Sequence, residues 1–182
     1  SVAYRKAKIV TSISMFYDLE NPVIFAKEIS NVLSIDGVWV CEQSYLPEMI
    51  RQNSYDTICH EHLEYYSLTA IQYILQQAGM ILIDASQNEV NGGSVMLTAV
   101  HDASFLASKV SPEVIRLIEQ EKTHDICSVN SFEMFQKNVY RQKIDLIKLL
   151  QGLKKAGKTV IGYGASTKGN VILQYCGISS EL

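Results

Sequence analysis

The sequence is poor in the features that mark specialised chains. Its four cysteines, Cys41, Cys59, Cys127 and Cys176, form no Cys-x-x-Cys pair. That excludes a zinc knuckle and a disulfide framework, and it points to reduced thiols in a cytoplasmic protein. Three prolines and ten glycines in 182 residues exclude collagen-like and low-complexity structure. No apolar run approaches the length of a membrane span. Neither sign of charge dominates: 16 Lys+Arg stand against 19 Asp+Glu, a net charge of −3. The clustered basic footprint of a nucleic-acid binder is therefore missing. The first eight residues are basic without an apolar stretch, unlike a signal peptide. There is no initiator methionine, and the last residues follow soon after a new strand and helix begin. The expectation is a piece of something longer.

What is present is enough for a core. The chain is 47% hydrophobic, 19% charged and 9% aromatic, which suits one domain or one and a half. Lys8–Met15 is rich in β-branched residues and reads as a strand. Asn21-Pro22 supplies an N-cap and a first-turn proline, and Phe25, Ala26, Ile29, Val32 and Leu33 follow at helical spacing. Asp36-Gly37 reads as a turn into a short buried strand, Val38–Cys41. Residues 44–66 break this rhythm. Ser67 then caps a helix with Leu68, Ile71, Ile74 and Leu75 on one face, ended by Gly79. Met80–Ala85 and Ser94–Val100 read as two strands joined by a Gly-rich loop, hence an antiparallel pair. Helices follow from Pro112 to about Lys122 and from about Val129 to Ala156, then a strand over Lys158–Tyr163 and a helix from Lys168. The order predicts an α/β sheet, parallel first and closing with an antiparallel hairpin.

Three clusters carry chemistry. The densest is Tyr55-Asp-Thr-Ile-Cys59-His60-Glu61-His62-Leu-Glu-Tyr65-Tyr66-Ser67. Imidazole takes or gives a proton near neutral pH, a neighbouring carboxylate orients it, and the tyrosines can bond a carbonyl or hydroxyl. The same His-x-His also fits a helix-capping or solvated loop, or a metal-binding pair, although no third and fourth ligand is evident. The second cluster, Asn88–Ser94, pairs Gly92 with Gly93, which suits either close approach of a ligand or a plain hairpin turn. The third is Gly162-Tyr-Gly164-Ala-Ser166-Thr167-Lys168-Gly169-Asn170. It fails the dinucleotide fingerprint because Thr167 occupies the third glycine position. It also fails the Walker A pattern because Asn170 occupies the lysine position. Lys168 and the hydroxyls favour an anion; a tight turn is the alternative.

Ser12–Glu20, Tyr55–Ser67, Asn91–Ser94 and Gly162–Asn170 occur together and in this order. In combination these strings resemble the sugar C-methyltransferase family, whose members methylate a ring carbon of nucleotide-linked keto-sugars. The likeness covers nearly the whole chain. It implies that residues 1–104 are the C-terminal half of a class I (Rossmann-like) methyltransferase domain. Residues 105–182 would be a helical linker and the start of a second Rossmann-like α/β domain.

The resemblance also implies a mechanism. S-adenosyl-L-methionine is the cofactor, and a base removes a proton beside a ketone. His62 matches the base and Glu61 its partner. Ser14, Met15 and Phe16 would line the methionine end of the cofactor. Tyr17, Asp18, Cys59, His60, Tyr65, Tyr66, Asn91 and Gly92 would face the substrate. Gly162, Gly164, Ser166, Thr167, Lys168 and Asn170 would lie near the nucleotide diphosphate. No metal is implied. Cys59 and Asp18 stand where sugar-methylating members can carry tyrosine and histidine, so the base carries over and the identity of the substrate does not.

Two readings compete: a metal-dependent enzyme built on His60 and His62, and a non-catalytic nucleotide-binding module. The partner expected is a small molecule, with neither nucleic acid nor membrane. An open sheet edge leads us to expect self-association, and the isolated chain is expected to be inactive because half of the cofactor site is missing.

Overall fold

The computed structural model describes residues 5–164 and 166–179. The chain divides into two compact units, residues 1–48 with 63–126 and residues 49–62 with 127–182.

The first unit is a four-stranded sheet in the order β1-β2-β4-β3, built from β1 (Ala7–Ile13), β2 (Leu33–Ser44), β3 (Met80–Asn88) and β4 (Ser94–His101). β1 and β2 run parallel, joined through helix α1 (Pro22–Val32); β4 lies antiparallel to both β2 and β3. The expected order, parallel first and then an antiparallel hairpin, is therefore present. The last strand of the unit is also inserted between its second and third.

The helices start where the sequence places them. Asn21 accepts from the Ile24 N–H at 3.0 Å at the head of α1. Ser67 accepts from the Ala70 N–H at 3.2 Å at the head of α3 (Leu68–Gln77). Each oxygen satisfies a donor that the helix itself leaves unpaired. Helix α4 (Pro112–Thr123) starts at the Ser111 cap and belongs to this unit, burying Val114 and Leu117. Helices α1, α3 and α4 contribute to one core with the sheet face bearing Trp39, Cys41, Leu97 and Ala99. The opposite face of β1 stays open, with Ile9 66% and Ile13 53% exposed.

Residues 44–66 contain a short helix, α2 (Leu46–Gln52), with Pro47 in its first turn. One expectation changes. Asp36-Gly37 is not a turn but lies inside β2, where the pairing with β1 shifts register between Ala7 and Ile9. A Cβ on Gly37 would stand 2.8 Å from Leu33 Cδ1 and 2.9 Å from the Ala7 carbonyl oxygen. Glycine is used here for close backbone approach rather than for turning.

The second unit is helical. Helix α5 (Val129–Lys155) has 27 residues, and α6 (Thr167–Cys176) follows it. Among the described residues its buried side chains are Met49, Thr57, Val139 and Cys176. Tyr55 reaches α6: its ring lies 5.3 Å from that of Tyr175, and its hydroxyl lies 3.5 Å from Cys176 Sγ. The strand expected over Lys158–Tyr163 is not formed. A β-branched, apolar segment becomes a strand only beside another backbone, and no strand pairs with it among the described residues. Tyr163 and Ile161 are consequently fully or almost fully exposed.

Candidate functional site

The first group of candidate residues sits at the carboxyl end of β1, where open α/β sheets bind ligands. Ser14 ends the strand in the left-handed region, φ 52°, and its N–H donates to the Glu42 carbonyl at 2.8 Å. Ser14 and Met15 are half-buried. Phe16 is buried in an aromatic cluster, its ring 5.4 Å from Tyr66, 5.6 Å from Trp39 and 6.0 Å from Phe25. What Phe16 offers a ligand is therefore backbone rather than a ring face. Tyr17 is also buried; Asp18 is exposed. The Tyr17 carbonyl accepts from the N–H groups of Leu63 (3.0 Å) and Glu64 (3.1 Å). The residues just after the His-Glu-His string are thereby tied to the end of the first strand.

Polar groups missed by the sequence reading lie at the end of β2. The Glu42 carboxylate accepts from Asn88 Nδ2 at 3.2 Å, joining β2 to the β3–β4 turn. The Tyr45 N–H donates to the Gly93 carbonyl at 3.2 Å. Gly92 and Gly93 hold φ of 85° and 114°, so both glycines of the string serve the turn itself. The Asn91 side chain lies outside the described residues. Gln43 is fully buried, and among the described residues neither of its amide atoms has a partner. The signal was available in the sequence: Glu42-Gln43-Ser44-Tyr45 places polar groups at the carboxyl end of an apolar strand.

The His-Glu-His string belongs to the second unit. His60 is 85% exposed, and its Nε2 lies 3.8 Å from Glu61 Oε1, an exposed pair too loose for a hydrogen bond. Glu61 Oε2 instead accepts from the Thr167 hydroxyl at 3.3 Å. His62 is half-buried, and its N–H donates to the Cys59 carbonyl at 3.2 Å, which turns the chain tightly. Among the described residues no group of three or more His, Cys, Asp or Glu is placed to hold a metal ion.

Downstream, Tyr65 is half-buried and Tyr66 buried. The Tyr66 hydroxyl has no partner among the described residues, and burial raises its phenol above the ordinary range. Burial likewise pushes the Cys41 thiol up to about 11.

Of the glycine-loop residues, Ser166 caps α6 by accepting from the Gly169 N–H at 3.2 Å. Gly162, Gly164 and Asn170 are exposed, while Thr167 and Lys168 are half-buried. A cavity of about 520 Å³ opens between α5 and α6, lined by Leu146, Leu150, Ile172 and Ile178. Gly162 borders it; Gly164, Ser166, Thr167, Lys168 and Asn170 do not.

Residues 89–182 match the family described as the C-methyltransferase C-terminal domain. The chain belongs to this C-methyltransferase family. Over 153 residues it is 32% identical to C-methyltransferase NovU of Streptomyces niveus, an alignment covering 84% of this chain and 36% of that protein. The chain thus spans about a third of the length of the curated relative it matches. Part of it is also similar in fold to an S-adenosylmethionine-dependent methyltransferase from Clostridium acetobutylicum, with TM-score 0.44, 13% identity, and 53% of this chain and 59% of that one covered. Similar too is magnesium protoporphyrin IX methyltransferase of Synechocystis, with TM-score 0.41, 11% identity, and coverage of 55% and 47%. No helix among the described residues is long and apolar enough to cross a membrane.

Proposed function

We propose that this chain serves an S-adenosylmethionine-dependent C-methyltransferase acting beside a ketone on a nucleotide-linked sugar, with His62 as the base and Glu61 as its partner. Family membership supports the reaction class. The observation that carries the residue assignment is the pair of N–H bonds from Leu63 and Glu64 to the Tyr17 carbonyl. They fix the chain directly after His62 against the carboxyl end of a parallel strand, where ligands of such sheets bind.

When bound, the cofactor supplies the electrophilic methyl group. Ser14 fits its methionine end: a half-exposed hydroxyl on a left-handed turn at the strand terminus. Met15 would pack beside it, with Phe16 holding the turn from beneath. The protein's own work is proton removal and alignment. His62 takes the proton from the carbon next to the ketone, and the electron pair moves onto that carbon and the carbonyl oxygen. The carbon so activated would be the one presented to the cofactor's methyl group, held in place by the residues that bind the sugar. Tyr65, Tyr66, His60 and Cys59, with Tyr17, Asp18, Asn91 and Gly92, would hold the sugar. The Gly162–Asn170 loop would meet the diphosphate.

We assign residues 1–104 to the second half of a methyltransferase domain and 105–182 to a linker and the start of another. The open edge at β1 supports self-association, and four free cysteines support a cytoplasmic protein.

The test uses protein expressed from its full reading frame. His62→Ala is expected to cut methyl transfer by about 10²–10⁴ while S-adenosylmethionine still binds by calorimetry. His60→Ala, at a residue proposed to hold the sugar, is expected to raise KM for the sugar while leaving S-adenosylmethionine binding unchanged. Near wild-type turnover by His62→Ala would remove the base assignment.

A further inference from the structure

The segment carrying His60, Glu61 and His62 leaves the sheet after Tyr45 and returns at the head of α3. Both points meet the same buried carboxylate. Glu121 of α4 is 6% exposed. Its Oε1 accepts from the Tyr45 hydroxyl at 2.7 Å and from the Leu68 N–H at 2.6 Å. Its Oε2 accepts from the Thr69 N–H at 3.0 Å and from the Thr69 hydroxyl at 2.6 Å. A carboxylate at a helix N-terminus is well placed, because the first N–H groups there lack intrahelical partners and the helix dipole favours negative charge. Ser67 already takes the Ala70 N–H. Glu121 completes the cap from another helix.

A cap alone does not need Tyr45. That fourth bond reaches across the neck of the excursion, to the residue at which the chain leaves β2. A backbone bond lies across the same neck, from the Leu46 N–H to the Tyr66 carbonyl at 3.0 Å. Tyr45 also donates its N–H to Gly93, so the β3–β4 turn is tied to the same point. A side chain that left only one of these donors unpaired would strand a buried polar group.

We propose that Glu121 is a positioning residue: it closes the neck of the 46–67 excursion and so holds Tyr65 and Tyr66, the candidate substrate residues at its returning end. It touches neither substrate nor cofactor. The consequence for turnover rests on the C-methyltransferase reading; the consequence for the chain's dynamics does not.

Glu121→Gln and Tyr45→Phe, made in protein expressed from the full reading frame, test it by hydrogen exchange. Tyr45→Phe removes a single bond and serves should Glu121→Gln not fold. The expected result is exchange in residues 46–67 faster by about ten-fold or more in either variant, with β1, β2 and β4 within about two-fold of wild type. Turnover should fall with a lowered kcat and an unchanged KM for the methyl donor. Unchanged exchange in residues 46–67, or protection lost evenly over α3, α4 and the sheet, would overturn the proposal, the latter marking a purely structural carboxylate. Faster exchange in a protein that transfers no methyl group even as wild type would sink the functional reading and leave the positioning role standing.

Discussion

The Thr167 hydroxyl donates to the Glu61 carboxylate at 3.3 Å, which joins two strings that the sequence presents 106 residues apart. One was read as acid–base chemistry and the other as an anion loop. Their meeting makes Thr167 a neighbour of Glu61, the proposed partner of the base. The bond is long and exposed, so it contributes under about 1 kcal/mol, or no more than about five-fold in rate. Thr167→Val should therefore lower kcat/KM by about five-fold or less. Glu61→Gln should lower it by about 10²-fold or more if Glu61 serves the base. Steady-state kinetics on both variants checks the ranking, and equal losses would show that Thr167 does more than hold Glu61.

Tyr66 gives a prediction in which stability and function part ways. Its buried hydroxyl has no partner among the described residues, so Tyr66→Phe should leave stability unchanged or raise it by up to about 1 kcal/mol. The same variant should lose activity if that hydroxyl meets substrate. Chemical denaturation alongside turnover reads both.

A pH effect follows from the same burial. The folded state holds protons on Cys41 and Tyr66 that the unfolded chain releases at ordinary values, since burial raises both groups, the thiol to about 11. Unfolded protein then binds fewer protons, and stability falls as pH rises. The contribution is intact below about pH 8, under the ordinary thiol value, and is lost as pH climbs from there through the raised values. Thermal melts at pH 7, 9 and 10.5 should show the decline, and Tyr66→Phe should make it shallower.

Gly37→Ala should be destabilising by about 1–3 kcal/mol, because the new methyl meets Leu33 and the Ala7 carbonyl where β1 and β2 shift register. Urea denaturation measures it. A neutral result would mean that β1 yields easily at its first residues.

The exposed Ile9 and Ile13 of β1 predict self-association of the chain, weakened by Ile9→Lys with Ile13→Lys, because charge on an edge strand discourages pairing. Sedimentation velocity reads it. A clean monomer for the unsubstituted chain would refute the expectation.

The legible parts of this protein were those whose cause is local. Asn21, Ser67 and Ser111 announce their helices because a cap oxygen needs only a donor three residues on. The β3–β4 hairpin was legible from paired glycines between apolar runs. Gly37 misled, since a glycine that turns a chain and one that admits a neighbouring backbone look alike in sequence. The strand expected over Lys158–Tyr163 failed because β structure is a property of two segments. Glu121 was invisible for the same reason: nothing near it distinguishes it from Glu119, two residues earlier and exposed, until the fold brings Tyr45, Leu68 and Thr69 to it. In the candidate site, the motif strings placed the titratable groups, while Glu42, Gln43 and Tyr45 needed the sheet to show where β2 ends.

The insertion of β4 between β2 and β3 has a consequence for biogenesis. Synthesis runs from the amino terminus, so the ribosome delivers β3 while the strand that will join it to β2 does not yet exist. β1, α1 and β2 can pair as they emerge; β3 must wait. Only when residues 94–101 have left the exit tunnel can the sheet become continuous, and Glu121 arrives later still. The nascent chain therefore passes through a stage in which β2 and β3 both present unpaired edges, the condition under which a growing chain is prone to aggregate.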